Sequence, residues 1–324
     1  MNNPVLSFCI PTCDRPNELN NLLRQVIPQL VKKSSHVELI IKDDSSSNDN
    51  LEAENLFNES GLEGGYYRGL KEGLDQANIF IVTHAKGDFV WWCGDDEEII
   101  PGAIDKVFDI INNNHISYIF MNFITHGNTS AANKDIEGVM NVNEFIEIAG
   151  TDMTLLSTGV FNRKEALKAI DVAMTYVGTH FASQPLILSA MIGQENQEQN
   201  IYFVGKPFLI NHPTELTKEG LFWDGVYTFG VIYYKLLYEF SPPIERASIR
   251  KYLKRNFGHI WRGLVIDWIR RDIPAPRNRL WELKIYWSYA EYWLAFLIFM
   301  MPKKFVALAL KLYKFFVKKH YMQP

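Results

Sequence analysis

The amino-acid sequence predicts an α/β fold in which a buried, mostly parallel sheet carries helices on both faces. Short apolar runs alternate with stretches of helical spacing over the first hundred residues, which is typical of strand–helix–strand units. The apolar runs are nearly continuous, as in strands that are buried on both faces. A hydrophobic share of 47% argues against a disordered chain, and 324 residues suffice for one large domain followed by a smaller region.

The predicted strands and helices follow one another in a regular order. Residues 5–10 form the first strand, and Pro16 then suits the first turn of an amphipathic helix. Residues 37–41 form the second strand, and a short third strand contains Tyr66 and Tyr67. The remaining elements are a helix over 75–85, a fourth strand over 89–93, a helix from about Pro101, and strand-like runs over 155–161 and 201–210.

Polar side chains follow three of these strands. The first strand ends in Pro-Thr-Cys-Asp-Arg, the second in Asp-Asp-Ser-Ser-Ser and the fourth in Gly-Asp-Asp-Glu-Glu. Ligands of parallel sheets bind at the carboxyl ends of the strands, so we expect these groups to converge on one crevice. The sequence lacks both Gly-x-Gly-x-x-Gly after the first strand and Gly-x-x-x-x-Gly-Lys-Ser/Thr, which argues against a dinucleotide-dependent dehydrogenase and a P-loop kinase.

Asp95 and Asp96 indicate a divalent metal at this edge of the sheet. Two carboxylates would repel a diphosphate unless Mg²⁺ or Mn²⁺ lay between them, and such ions prefer oxygen ligands and are often shared with substrate phosphates. Gly94 would let the backbone approach the ligand closely. The alternative is a solvated acidic turn before the helix near Pro101, but the second acidic pair, after strand two, favours the metal.

Four segments, in this order, resemble the signature of family 2 glycosyltransferases, which have a GT-A, Rossmann-like fold. They are residues 8–15 (Phe-Cys-Ile-Pro-Thr-Cys-Asp-Arg), 38–45 (Glu-Leu-Ile-Ile-Lys-Asp-Asp-Ser), 85–96 (Ala-Lys-Gly-Asp-Phe-Val-Trp-Trp-Cys-Gly-Asp-Asp) and Pro101. The Gly73-x-Asp75-x-x-Asn78 stretch and the Trp-Trp-x-Gly-Asp-Asp run are similar to the bacterial surface-polysaccharide branch, such as abequosyltransferases. The resemblance covers residues 5–105 most closely.

The resemblance implies a donor-binding half of the site. Pro11, Thr12 and Asp14 would line the nucleoside pocket. Asp43 or Asp44 would accept a hydrogen bond from the base, usually uracil, with Asp44 preferred and Asp43 supporting it.

The resemblance also implies how phosphates and metal are held. Asp96 matches the second Asp of the family's Asp-x-Asp motif and would bind the metal, whereas Gly94 stands at the position of the first Asp. Asp95 would contact ribose, or the metal through water. Arg68 would contact the base or a phosphate, with a surface arginine as an equal alternative, and His212 would be either a further metal ligand or a turn residue.

An inverting transfer needs a general base that takes the proton from the attacking hydroxyl. The resemblance implies a carboxylate well beyond the metal motif, but residues 178–189 contain none. His180 is the nearest competent base, or else a structural histidine, and Asp152 and Asp171 are further candidates. The run 155–161 resembles the acceptor-side strand of the family, with three residues near the donor sugar: Ser157, Thr158 and Gly159.

Charge is divided unevenly along the chain. Residues 1–239 carry 16 Lys and Arg against 32 Asp and Glu, whereas residues 240–324 carry 17 against 5. Lysines of the last 22 residues are mixed with aromatics, and four would share one helical face: Lys304, Lys311, Lys314 and Lys318. This pattern predicts a helix on an anionic membrane surface. The alternatives are docking on the acidic body and a dimerisation helix, and nucleic acid is not an expected partner because no recognition motif accompanies the charge.

The tail is predicted to lie on the membrane rather than cross it. Ser288 and Glu291 interrupt its apolar run, which leaves only residues 292–301 uninterrupted. The first residues lack the features of a signal peptide. The three cysteines are too few for a disulfide framework. We expect peripheral attachment at the cytoplasmic face of the inner membrane.

The resemblance, taken with the basic tail, implies an inverting, metal-dependent enzyme that moves a hexose, with glucose as first candidate, from a UDP-sugar to a polyprenyl-diphosphate-linked oligosaccharide in bacterial glycan assembly. Residues 1–220 would form the GT-A domain and residues 221–324 a helical, basic and aromatic region. The acceptor diphosphate would meet basic residues of that region: Arg246, Arg250, Lys251, Lys254 and Arg255. The alternatives are a catalytically degenerate GT-A domain and a sugar-phosphate nucleotidyltransferase, although the sequence lacks the Gly-rich, Arg-containing loop of the latter.

Overall fold

The computed structural model of the chain describes residues 3–46, 50–125, 129–130, 136–193, 201–212, 231–241, 243–255, 268, 283–309 and 311. The chain divides into two compact units. The first is Met1–Lys218 with Leu236–Ile249, and the second is Glu219–Lys235 with Arg250–Pro324. The predicted domain boundary between residues 220 and 221 lies outside the described residues and stays a prediction.

The first unit is built on a ten-stranded sheet. Its strands are β1 (Leu6–Thr12), β2 (Val37–Asp43), β3 (Glu63–Arg68), β4 (Phe89–Trp92), β5 (Glu98–Ile99), β6 (Tyr118–Thr125), β7 (Thr129–Ser130), β8 (Gly138–Met140), β9 (Gly159–Asn162) and β10 (Ile201–Asn211). The order is β3-β2-β1-β4-β9-β6-β10-β5, with β7 paired to β6 and β8 to β10. The pairings among β3, β2, β1 and β4 and that of β6 with β10 are parallel. Strand β9 runs antiparallel between β4 and β6. The predicted mostly parallel sheet is therefore confirmed.

Helices of the first unit flank this sheet. They are α1 (Pro16–Val31), α2 (Leu51–Ser60), α3 (Leu74–His84), α4 (Ala103–Asn113), α5 (Val142–Ala149), α6 (Arg163–Leu167), α7 (Ile170–Thr175) and α8 (Ser183–Ile192). Two further helices follow along the chain: α9 (Tyr233–Glu239), whose residues are divided between the two units, and α10 (Ala290–Met300) of the second unit. Helix α1 begins at a proline, whose missing N–H is not needed there. Its apolar residues at helical spacing are buried: Leu19, Leu22, Leu23, Val26 and Leu30.

One predicted strand is partly wrong. The run 155–161 contains a turn of 3₁₀ helix at Leu156–Thr158, and strand β9 begins only at Gly159. The turn forms because the side-chain hydroxyl of Thr158 donates to the carbonyl of Leu155 at 2.7 Å. A threonine that bonds its own local backbone competes with strand pairing.

Glu38 joins three strands at the amino-terminal edge of the sheet. This buried carboxylate on β2 accepts hydrogen bonds at Oε1 from the Ser7 hydroxyl of β1 (2.5 Å) and from the backbone N–H groups of Lys86 (2.6 Å) and Gly87 (3.2 Å), just before β4. The backbone is also tight here, since a Cβ at Gly87 would lie 2.6 Å from the backbone nitrogen of Ser7. The spacing of β1, β2 and β4 is thus fixed at the edge opposite the predicted site.

The second unit exposes a set of large apolar side chains. Eight of them are between 47% and 67% exposed: Trp287, Trp293, Leu294, Leu297, Met300, Met301, Phe305 and Leu308. Among the described residues no single helix is long and apolar enough to cross a membrane, and only the bent pair formed by α10 and Lys303–Ala309 reaches that length and composition. Lys314 and Lys318, two of the four lysines on the predicted basic face, lie outside the described residues.

Candidate donor-binding site

The carboxyl ends of β1, β2 and β4 meet at one edge of the sheet. Strands β1 and β2 pair from Leu6 opposite Val37 to Thr12 opposite Asp43. The backbone N–H of Asp44 donates to the carbonyl of Thr12 at 3.0 Å. The Thr12 hydroxyl donates to Oδ2 of Asp95 at 2.7 Å. The polar groups that follow three separate strands therefore converge, as the strand endings predict.

A cavity of about 320 Å³ opens at this point. Four of the residues predicted to bind the donor line it: Pro11, Thr12, Asp44 and Asp95. Its remaining lining residues include Cys13, Arg15, Lys71 and Gly73. The cavity thus combines apolar surface with both carboxylates and cations, as a pocket for a charged nucleotide requires.

Asp44 occupies an unusual environment in the wall of this cavity. Only 3% of the residue is exposed, and its Oδ1 forms an ion pair with the equally buried ammonium of Lys42. Its second oxygen, Oδ2, has no hydrogen-bond partner among the residues that the structure describes. A buried acceptor without a partner is costly and is a natural point for a ligand N–H to bind.

Asp43 forms hydrogen bonds within the protein and lines neither this cavity nor the second one, which adjoins Asp96. Its carboxylate accepts hydrogen bonds from the backbone N–H of Ser45 (3.0 Å), the side-chain amide of Asn50 (3.0 Å) and the hydroxyl of Tyr66 (2.6 Å). Burial raises its pKa, but these hydrogen bonds outweigh burial and lower the pKa below the ordinary value. Asp43 therefore supports the turn that presents Asp44.

Asp14 and Arg68 lie outside the set of cavity-lining residues. Asp14 adopts a left-handed backbone with φ of 55° and binds the Lys71 ammonium at 2.7 Å. Hydrogen bonds from Lys71 and Ser46 hold its pKa well below the usual range. Arg68 pairs with Glu54 at 3.0 Å and stacks over the Tyr66 ring, so the structure does not bring it to the cavity.

Arg15 lies between the two carboxylates of the predicted metal motif. Its Nη1 contacts Oδ1 of Asp95 at 3.1 Å and Oδ2 of Asp96 at 2.8 Å. Burial nevertheless raises the pKa of Asp95 to about 6. Arg15 is not among the predicted site residues, although a cation directly after the first strand ending is a signal for a group that binds anions.

A second cavity, of about 400 Å³, adjoins the metal motif. Asp96 and His212 both line it, so the structure brings the two predicted metal ligands to one space. The His212 ring nitrogen contacts Oε1 of Glu98 at 2.6 Å. Within the part of the chain that the structure describes, no group of three or more His, Cys, Asp or Glu converges on a single point.

The groups in this cavity fit a divalent cation in their chemistry. Glu97 is 6% exposed, and within the described part of the chain its Oε2 has no hydrogen-bond partner. Burial, together with the charges of Asp96 and Asp95, raises the pKa of Glu97 to about 8. Mg²⁺ and Mn²⁺ bind oxygen ligands, such as carboxylates that no nearby cation neutralises. Substrate phosphates often complete the coordination of these ions.

The predicted acceptor-side residues line neither cavity. His180 is exposed and has a left-handed φ of 65°, and its backbone N–H donates to Oδ2 of Asp75 at 3.0 Å. Asp171 is exposed at the beginning of α7, and Asp152 begins a 3₁₀ turn. Ser157 does reach the metal motif, because its hydroxyl accepts the backbone N–H of Gly94 at 3.0 Å.

Comparisons with known proteins identify the family of this chain. The family model for glycosyl transferase family 2 matches residues 7–171, about half of the chain. The chain is 25% identical over 229 residues to abequosyltransferase RfbV of Salmonella typhimurium, and the match covers 64% of this chain and 66% of that protein, just under two thirds of the relative.

Solved structures of TarS are among those that share the fold. TarS 1-349 from S. aureus superposes with a TM-score of 0.60 at 13% identity, covering 89% of this chain and 82% of that one. TarS 1-349 in complex with UDP-GlcNAc gives a TM-score of 0.58 at 13% identity, covering 91% and 90%. These likenesses confirm the GT-A-like fold. Since the matched segment contains β1, β2, β4 and the carboxylates that follow them, the chain belongs to glycosyl transferase family 2.

Proposed function

We propose that this chain is an inverting, metal-dependent glycosyltransferase that moves a hexose, with glucose as first candidate, from a UDP-sugar to a polyprenyl-diphosphate-linked oligosaccharide. The observation that carries the proposal is the cavity at the ends of β1, β2 and β4. It is lined by Asp95 and by Asp44, whose Oδ2 has no partner among the described residues. The names of the similar proteins support it, since one is an abequosyltransferase and TarS binds UDP and UDP-GlcNAc.

The residues of the cavity divide the work of binding the donor. Asp44 accepts an N–H from the base through Oδ2. Arg15 and Lys71 supply positive charge near the cavity for the diphosphate. Asp96, with Glu97 beside it, would hold the divalent cation, which neutralises charge on the departing diphosphate when bound.

The transfer itself needs a base on the acceptor side. As the acceptor oxygen bonds to C1 of the sugar, the C1–O bond to the diphosphate breaks and the nucleotide leaves with the electron pair. His180 remains our candidate for the group that takes the hydroxyl proton. Its exposed position outside both cavities also favours a second candidate function, a degenerate domain that binds the donor without turning it over.

A donor screen tests the proposal. UDP-, GDP- and dTDP-sugars are compared for thermal stabilisation of the protein and for nucleotide release, with and without Mn²⁺. We expect UDP-sugars to stabilise the protein and to release UDP only with metal. Asp96→Asn should reduce release by roughly a hundredfold or more while the protein stays folded, and Asp88→Asn, exposed just before β4, is the matched control.

The outcomes separate the candidates. Binding of a UDP-sugar without any release of UDP, on any acceptor, supports the degenerate domain. Release that Asp96→Asn leaves unchanged contradicts the metal role. Stabilisation by another nucleotide-sugar class alone contradicts the UDP donor.

The acceptor proposal depends on the second unit. The exposed apolar side chains of residues 287–308 are accompanied by Lys303, Lys304 and Lys311, of which the last two are exposed. An apolar surface with lysines beside it is typical of helices that lie in an anionic membrane interface. Attachment there would present the site to a lipid-linked acceptor, and the basic residues between 246 and 255 would meet its diphosphate.

A further inference from the structure

Lys42 and Asp44 form a buried ion pair in the wall of the first cavity. Their side chains are 5% and 4% exposed, and the ammonium contacts only one carboxylate oxygen of Asp44, Oδ1. No described residue forms a hydrogen bond with Oδ2 of Asp44. Such a pair offsets part of the cost of burying a carboxylate, and the contact through Oδ1 leaves the other oxygen of Asp44 for a ligand.

Gly69 and Phe80 enclose the ammonium. A Cβ added at Gly69 would lie 2.1 Å from Nζ of Lys42 and 3.3 Å from Oδ1 of Asp44. The ring of Phe80 lies on another side, 5.2 Å from Nζ. The ammonium therefore reaches Asp44 only because residue 69 carries no side chain.

We propose that Lys42 is a specificity-determining positioning residue for the nucleotide base. It holds Oδ1 of Asp44 so that Oδ2 accepts an imide N–H of uracil. A carboxylate oxygen can only accept, and it would face a lone pair at the corresponding ring nitrogen of cytosine. The inference rests on the proposed function, because it assigns the base of the donor for the same site.

Binding of UDP and CDP to the full-length chain tests this role. Isothermal titration is carried out on the unchanged protein, Lys42→Met and Gly69→Ala, with Mn²⁺ present throughout. We expect the unchanged protein to prefer UDP over CDP by at least about tenfold, since a site built to accept an N–H rejects a ligand that lacks it. Lys42→Met should reduce that preference to about threefold or less by weakening UDP binding.

Gly69→Ala provides an independent variant that retains every charge. Its new methyl group meets the end of a flexible lysine side chain, in an exposed loop, so the fold should be preserved while the ammonium is displaced. We expect the same loss of preference as in Lys42→Met. Leu70→Ala in the same loop and Lys33→Met on the surface are controls that should keep the preference for UDP.

The possible results are distinguishable. If the unchanged protein prefers UDP and both variants keep that preference, or lose UDP and CDP affinity equally, Lys42 has only a structural role and the inference is wrong. If Lys42→Met does not fold, the ratio of UDP to CDP affinity in Gly69→Ala alone tests the inference. If the unchanged protein binds neither nucleotide, the proposed function fails and the inference fails with it.

Discussion

Asp43 and Asp44 are adjacent residues whose carboxylates have separate partners. Successive side chains of a strand point to opposite sides. Asp43, at the end of β2, accepts hydrogen bonds from Ser45, Asn50 and Tyr66, whereas Asp44 pairs with Lys42 and lines the cavity. One carboxylate thus stabilises the turn, and the other is presented to a ligand.

Asp43→Asn should make the free energy of unfolding less dependent on pH in the acidic range. The folded-state pKa of Asp43 lies below 3.8, so its stabilisation is present above that value and is lost as the pH falls through the folded pKa. We expect the variant to be less stable at pH 7 by about 1–2 kcal/mol. The difference should shrink as the pH falls below the ordinary value of 3.8.

Urea unfolding at pH 7, 5 and 3 measures this difference. Asp171→Asn, on the exposed beginning of α7, is the control and should stay within about 0.5 kcal/mol at each pH. A constant difference between Asp43→Asn and the unchanged protein at all three values would contradict the assignment of the stabilisation to the charged form.

At the scale of elements, α3 is joined to the segment before α8 by one carboxylate. Asp75 is 7% exposed and accepts backbone N–H groups from Gly178 (2.8 Å), His180 (3.0 Å) and Ala182 (3.3 Å). A single side chain therefore satisfies three donors of the loop that carries the candidate base. This contact spans more than a hundred residues of sequence.

Asp75→Ala should loosen this loop. Removing the acceptor leaves three N–H groups without a partner, and we expect a loss of about 2–3 kcal/mol in the free energy of unfolding. Amide hydrogen exchange at residues 178, 180 and 182 should speed up more than elsewhere in the unit. Glu72→Ala, exposed before α3, is the control, and equal exchange rates in both variants would show that Asp75 does not order the loop.

At the scale of the whole molecule, charge is separated along the chain. Residues 1–239 contain twice as many acidic as basic side chains, and residues 240–324 contain 17 basic and 5 acidic ones. Exposed apolar side chains accompany the positive charge in the second unit. A surface that combines the two binds anionic lipid through both hydrophobic burial and electrostatic attraction.

Vesicle sedimentation tests this attachment. We expect the protein to bind phosphatidylglycerol vesicles but not phosphatidylcholine vesicles, and to be released as salt is raised toward about 1 M. Changing Lys303, Lys304 and Lys311 together to Glu should weaken binding about a hundredfold or more, at roughly 1 kcal/mol for each lysine charge that is removed. Glu substitution of Lys32 and Lys33 in the first unit is the control.

Deletion of residues 285–324 should abolish vesicle binding and activity on a lipid-linked acceptor. If the deletion left both membrane fractionation and that activity unchanged, the membrane and acceptor proposals would be wrong.

The donor half of the fold could be predicted from the sequence because its signals are local. Continuous apolar runs located β1, β2 and β4, and the polar residues after each strand located Thr12, Asp44 and Asp95. Parallel pairing then brings the carboxyl ends of these strands to one edge of the sheet, and this does not depend on how the rest of the chain folds.

Contacts between distant segments were not predictable in the same way. Arg15 meets Asp95 and Asp96 across eighty residues of sequence, and Asp75 meets the loop of His180 across more than a hundred. Nothing in a linear pattern states which buried carboxylate a cation will pair with, because the pairing follows from packing. The turn at Leu156–Thr158 was missed because its apolar and hydroxyl residues also suit a strand.

The bonds of Glu38 have a consequence for the genetics of this chain. They fix the three site-forming strands at their amino-terminal ends, far along each strand from the cavity at the carboxyl ends. A mutation of Glu38 would change the spacing of β1, β2 and β4, and with it the positions of the loops that follow these strands. It would do so without changing any residue that lines the cavity. Mutations that abolish donor binding should therefore arise at both edges of the sheet. A mutation of Glu38 would have the phenotype of a binding-site mutation, but it would also lower the thermal stability of the protein.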